Sequence, residues 1–106
     1  MNNFSELKVW QKSMTLVENF YQLTSTFPKE DKFGLKNQIQ KSVVSIPSNI
    51  AEGAGRNSNK EFKNFLGIAN GSINELITQL KISARIGYVS ENELEGIFGH
   101  LTEIKK

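Results

Sequence analysis

The sequence predicts an all-α protein, an antiparallel up-down-up-down bundle of four helices forming a single domain over residues 1–106. Three observations carry this expectation. Apolar residues recur in steps of three and four rather than alternating, and only two prolines, Pro28 and Pro47, interrupt good helix formers. The breaks between periodic segments are short, which favours antiparallel neighbours. The chain is 106 residues long, enough for one small domain that buries only about 60 to 65% of its unfolded surface.

Helix one is expected from Leu7 to Phe27, with one row at Trp10, Met14, Val17, Tyr21 and Thr24 and a neighbouring row at Ser13, Leu16, Phe20, Leu23 and Phe27. Ser5 would cap it, with Phe4 and Val9 as a staple, and Pro28 would end it. Helix two follows the pattern Leu35, Ile39, Val43, Ile46 and Ile50. Pro47 lies inside that pattern, where it removes a backbone donor and crowds the preceding turn, so a kink or a restart is expected near Ser45. The stretch Gly53-Ala54-Gly55-Arg56-Asn57 breaks the period, and Ser58 with Glu61 forms a capping box for helix three.

Helix three is expected from about Asn59 to Ile86, carrying Phe62, Leu66, Ala69, Ile73, Leu76, Leu80 and Ala84 on its main face. A second apolar stripe, Phe65, Ile68, Ile82 and Ile86, lies on another side. Gly67 and Gly71 inside this helix each cost about 1 kcal/mol relative to Ala, which close approach of a neighbouring helix would offset. Gly87 offers a left-handed cap, Tyr88 can fold back on Ile82, and Ser90 with Glu93 forms a second capping box. Helix four then carries Leu94, Ile97, Phe98, Leu101 and Ile104, weakened by Gly96 and Gly99. Helices one and three present more apolar surface than one core requires, and self-association is the economical explanation.

Several chemistries are excluded. Without Cys there is no disulfide, no thiolate metal site and no cysteine nucleophile. A di-iron bundle needs Glu-x-x-His on two helices, whereas Ile97 stands three residues before the single histidine, His100, and Glu103 follows it in the wrong order. No cofactor or metal is expected. The serines fall at caps and turns, and the Gly53–Arg56 stretch lacks the strand and the Lys-Ser/Thr of a phosphate loop. Glu52 and Glu75 are the acids embedded among small and apolar residues; paired-carboxylate catalysis is outweighed by a fold role, since Arg56 follows Glu52 by four residues. The N-terminus resembles no secretory signal and no run is long enough to span a bilayer, so a cytoplasmic protein without membrane contact is expected.

Charge is unevenly spread. Thirteen Lys and Arg against eleven Asp and Glu give a net charge of +2. Yet Lys32, Lys36, Lys41, Arg56, Lys60 and Lys63 face only Glu52 and Glu61 in the middle of the chain, while Glu91, Glu93, Glu95 and Glu103 gather near its end. An anion site at the start of helix three, flanked by Arg56, Lys60 and Lys63, is compatible with the macrodipole there.

The run Ser45-Ile46-Pro47-Ser48-Asn49-Ile50-Ala51-Glu52-Gly53, followed by Arg56, Ser58 and Glu61-Phe62, resembles the 23S rRNA intervening-sequence proteins. Leu7, Val9-Trp10-Gln11-Lys12, Phe27-Pro28, Gln38-Ile39, Phe65-Leu66, Ile68-Ala69, Gly71-Ser72, Glu75-Leu76 and Leu80 extend the likeness over nearly the whole chain. The resemblance implies a four-helix bundle assembled as a ring-shaped homopentamer. It is named for reading frames within intervening sequences of bacterial large-subunit rRNA genes, and related accessory proteins of diversity-generating retroelements bind nucleic acid and a reverse transcriptase through a basic surface. Carried onto this chain, Pro47, Asn49, Glu52, Gly53, Arg56, Ser72 and Glu75 become organisers of the corner between helices two and three rather than catalysts.

The expected function is therefore a non-enzymatic homo-oligomer that binds RNA through Lys8, Lys12, Lys36, Lys41, Arg56, Lys60 and Lys63. Trp10, Phe65, Ile68, Ile82 and Ile86 would form the contacts between copies. The alternative is a protein-interaction scaffold for an unidentified partner, without nucleic-acid binding.

Overall fold

The computed structural model describes residues 3–31 and 33–105, with side chains through Thr102, so Lys32 and the side chains of Glu103 and Ile104 lie outside the described residues. Four α-helices follow a short 3-10 turn, Phe4–Glu6: α1 (Lys8–Thr24), α2 (Leu35–Ala54), α3 (Asn59–Arg85) and α4 (Glu91–Lys105). No strand occurs among the described residues. Neighbouring contacts join α1 to α2, α2 to α3, α3 to α4 and α4 to α1, and among the described residues no Cα atoms of the diagonal pairs come within 8 Å.

The pairing of α2 with α3 is the most extensive. Gly53 abuts Phe62 and Phe65, while Ser45, more than two turns earlier, bonds Ser72. The register therefore runs in opposite directions along the two helices. The same holds for α1 and α2, since Gln40 near the start of α2 donates to Thr24 at the end of α1, and Leu7 and Val9 share a groove with Ile46 and Ile50.

Leu16, Phe20, Ile39, Val43, Ile46, Ile50, Ile73, Leu76, Leu80 and Leu101 form the centre of the core. On α1 Ser13, Leu16 and Phe20 turn inward, as does Phe27 beyond its end, while the row beginning at Trp10 is split: Thr24 is buried, Trp10 and Val17 pack half-buried on the core, and Met14 and Tyr21 stay at the surface. Buried hydroxyls on the inner faces return their protons to the helix: Ser13 to the Trp10 carbonyl, Thr24 to Phe20 and Ser83 to Gln79. Each hydroxyl proton is thereby satisfied within its own helix, and Thr24 in addition accepts from Gln40 of α2.

The helix ends explain several departures from the expectations. Ser5 does not cap α1. Its hydroxyl bonds the Asn3 side chain, the 3-10 turn occupies Phe4–Glu6, and Leu7 is the cap residue. Phe4 meets Trp10 edge to face with ring centres 5.4 Å apart, in place of a staple onto Val9. Helix α1 stops at Thr24, one turn before Pro28, where the backbone N–H groups of Thr26 and Phe27 bond only three residues back.

Helix α2 runs unbroken through Pro47 to Ala54, so there is no restart at Ser45 and Gly53 belongs to the helix. Side chains beside the proline supply donors to the turn before it: Ser48 to the Val44 carbonyl at 2.9 Å and Asn49 to the Ser45 carbonyl at 2.7 Å. The following α3 begins with Ser58 accepting from the Glu61 N–H, although the Glu61 carboxylate returns to the Ser58 hydroxyl rather than to its N–H. Its other end is a full Schellman closure, with Gly87 at φ 85°, Gly87 N–H donating to Ala84 and Tyr88 N–H to Ser83. Tyr88 packs on Phe27, ring centres 5.0 Å apart, and leaves Ile82 exposed. The second capping box forms in both directions between Ser90 and Glu93.

Candidate functional site

Two surfaces bring the expected residues together. The first is one end of the bundle. Leu7 and Val9 at the start of α1 share a groove with Phe62 and Leu66 at the start of α3. Lys8 and Lys12 on α1 therefore stand at the same end as Arg56, Lys60 and Lys63, all of them exposed. Lys36 and Lys41 do not join them, because both sit on the first turns of α2 toward the opposite end. That opposite end is mixed in charge: Glu91 and Glu93 open α4 and Asp31 precedes α2, beside Lys29, Lys36 and Arg85.

At the basic end, Arg56 is not a free-standing cation. Its guanidinium bonds the Glu52 carboxylate at 3.0 Å and lies 4.8 Å from the centre of the Phe65 ring. An exposed pair of this kind contributes only about 0.3–0.5 kcal/mol. A polar hollow of about 400 Å³ opens beside it, lined by Arg56, Asn57, Ser58, Asn59 and the backbone of Gly53 and Ala54. Gly53 permits the corner to close, because a Cβ there would stand 2.7 Å from the Phe65 Cβ.

The second surface is the outer groove between α2 and α3. Residues 65, 68, 72, 75, 79, 82 and 86 advance by alternating threes and fours and so keep one line along α3. Its ends are apolar, with Ile68 52%, Ile82 42% and Ile86 40% exposed. Its centre is polar: Ser72 bonds Ser45 across the groove, and Lys41, Asn49, Glu75 and Gln79 share the same hollow of about 360 Å³. The Oε1 of Gln79 is buried without a hydrogen-bond partner. Phe65, Ile68, Ile82 and Ile86 thus share one seam with Ser72 and Glu75, whereas Trp10 lies apart on α1, half-buried against Phe4.

Asp31 is a further polar feature, which the sequence reading passed over as part of a linker. Burial pushes its carboxyl up, but the backbone N–H groups of Lys36, Leu35 and Phe33 and the Tyr88 hydroxyl outweigh this and hold it below the ordinary carboxylate value. The Lys36 N–H donates at 2.7 Å and Tyr88 at 3.5 Å. For Tyr88, burial comes first and the Asp31 charge second in raising its hydroxyl above the ordinary phenol value. Asp31 supplies an acceptor to the start of α2 that Gly34, the left-handed cap residue there, cannot. Its signal in the sequence was an acid a few residues ahead of the apolar period.

No group of three or more His, Asp or Glu that could hold a metal occurs among the described residues, and His100 is exposed. Nor is any described helix long and apolar enough to cross a membrane.

These features define a four-helix, all-α protein with a basic end and an unpartnered seam. The family model of the 23S rRNA-intervening sequence protein matches residues 5–106, and the chain belongs to that family. Among solved structures it is similar to a protein of unknown function from the S23 ribosomal protein family of Bacteroides thetaiotaomicron. The two are 30% identical, with a TM-score of 0.78 over 92% of this chain and 91% of that one. No curated protein matches.

Proposed function

We propose that the chain is a cytoplasmic, non-enzymatic homo-oligomer, five copies in a ring, that binds RNA through its basic end. The observation that carries this reading is the gathering of Lys8, Lys12, Lys60 and Lys63, remote from one another in sequence, at one end of the bundle. Subunits related by rotation about one axis and running parallel to it set all their basic ends on one rim. A modest patch is then repeated, and each phosphate neutralised adds to affinity. Membership of a family named for rRNA intervening sequences makes RNA the polyanion of choice.

Two unlike apolar stripes support the ring. One is the α3 seam, and the other is Met14 and Tyr21 on α1, 41% and 45% exposed, on the helix diagonal to α3. Surfaces that differ favour head-to-tail association rather than a two-fold dimer, and such association makes a ring when its rotation closes. A donor from the neighbouring copy would also satisfy the Gln79 carbonyl.

Light-scattering mass and RNA titration on one sample test both parts. A mass of five chains is expected, with log affinity falling by about 0.9 per phosphate contact per decade of salt on duplex. Lys60→Glu with Lys63→Glu should weaken RNA binding and flatten that slope while leaving the mass unchanged. A pentamer indifferent to RNA would remove the binding half of the reading, and a monomer would remove the ring.

A further inference from the structure

Rotation about an axis parallel to the helices keeps every side chain at its own height, so surfaces that meet in a ring must match along the bundle. Hydrogen bonds set the heights: Gln40 of α2 stands about level with Thr24 of α1, and Ser45 of α2 with Ser72 of α3. Three residues back from Thr24 and three on from Gln40, Tyr21 is level with Val43, and the second register carries that level to Asn74 and Glu75. Met14, two turns before Tyr21, comes level with Gly67 and Ile68 in the same way. The exposed stripe of α1 and the exposed seam of α3 therefore lie at equal heights, on helices that run in the same direction.

Both stripes border α2. Thr24 shares the row of Met14 and Tyr21 and bonds Gln40, and the exposed Val44, four residues after Gln40, widens that stripe. The α3 seam borders α2 on its other side, where Ser45 and Asn49 share a hollow with Ser72, Glu75 and Gln79. The two faces are thus adjacent sides of a four-cornered bundle. Adjacent sides turn successive copies and close a small ring, whereas opposite sides would extend a straight filament. The chemistry matches as well. Oε1 of Gln79 is buried without a donor, and helical side chains lean toward their N-terminus, which carries this amide back toward the level of Glu75. Tyr21 brings an exposed phenol, with a hydroxyl proton to donate, to that level.

We infer that the α1 stripe of one copy lies along the α2–α3 groove of the next, with Met14 against Ile68 and the Tyr21 hydroxyl donating to Gln79 Oε1. This pairing rests on the ring reading, deepens it by naming the surfaces that meet, and does not depend on RNA. It turns α2, which lies between the two faces, toward the central opening and sets α4 on the outside.

The chain contains no Cys, so introduced thiols report single contacts. Met14→Cys with Ile68→Cys in one chain, treated with a short bismaleimide, should link copies covalently up to the mass of the ring, and neither single variant should. Met14→Cys with Ile82→Cys, the second thiol moved about 21 Å along α3, should not link either. All three sites are exposed, and unchanged helical circular dichroism checks that the variants fold. Light-scattering mass of the parent chain reads the ring separately. Tyr21→Phe should raise the concentration of half-dissociation about tenfold, and far less in a chain that already carries Gln79→Met, where no carbonyl is left to orphan. Several chains by mass without the Met14–Ile68 link, or equal effects of Tyr21→Phe in the two backgrounds, would overturn the pairing and leave the ring standing. Linking by a single-thiol variant, which marks a two-fold contact, or a mass of one chain would overturn both.

Discussion

Single residues decide how closely the helices approach. A methyl group at Gly53 would overlap Phe65 on the facing helix, so Gly53→Ala should cost about 1–3 kcal/mol, measured by chemical denaturation. Gly71 is the contrast: nothing lies within 4 Å of its missing Cβ, and Gly71→Ala should stabilise the folded chain by about 0.5–1 kcal/mol in the same measurement. The two glycines look alike in the sequence, and only the position of the neighbouring helix separates them. Asp31 acts through charge as well as shape. Its carboxyl is held below the ordinary value in the folded chain, so its stabilisation is present above about pH 4 and fades as the pH falls through the lower folded value. Asp31→Ala should therefore lower the melting temperature at pH 7, and the gap from the parent should close in strongly acidic solution.

At the scale of the helix, the periods could be read directly and the ends only where local pairings close them. Spacing alone placed Leu16, Phe20, Ile39, Ile73 and Leu80 inward, because burial of one face is what makes a short helix persist. The Ser90–Glu93 box and the Gly87 closure were equally plain, being local pairings. The N-terminus of α1 was misread because Asn3 and Ser5 satisfy each other and build a 3-10 turn instead of a cap. Pro47 was expected to kink or restart α2, and the helix does not restart: burial of Ile46 and Ile50 on either side outweighs one lost backbone bond, and Ser48 and Asn49 add donors next to it. Replacing both by Ala should destabilise the chain by about 1–2 kcal/mol, with the loss seen as faster hydrogen exchange in the turn from Val43 to Pro47.

For the whole molecule, the charged residues were visible but their grouping was not. Lys8 and Lys12 are remote in sequence from Lys60 and Lys63, and only the antiparallel return of α2 sets them at one end, while the same return carries Lys36 away. The second stripe of α3 was recognised from Phe65, Ile68, Ile82 and Ile86, but its polar middle was assigned to a corner rather than to the same line. If that line joins copies, Ile68→Glu with Ile82→Glu should reduce the light-scattering mass toward one chain and leave the helical circular dichroism unchanged. Both side chains are exposed in the single chain, so burial within it opposes neither change.

The dominance of the α2–α3 pairing also bears on the order in which the chain acquires its shape. The two helices are joined only by residues 55–58, so their union closes a small loop at little entropic cost, whereas α1 and α4 meet only after the whole chain has been traversed. The hairpin of α2 and α3 is then the natural nucleus of the folding transition state. Conservative truncations along it, such as Ile46→Val or Leu76→Ala, should slow folding, while Leu101→Ala should chiefly hasten unfolding. The last helix would close over a core already half assembled, and would be the first to let go.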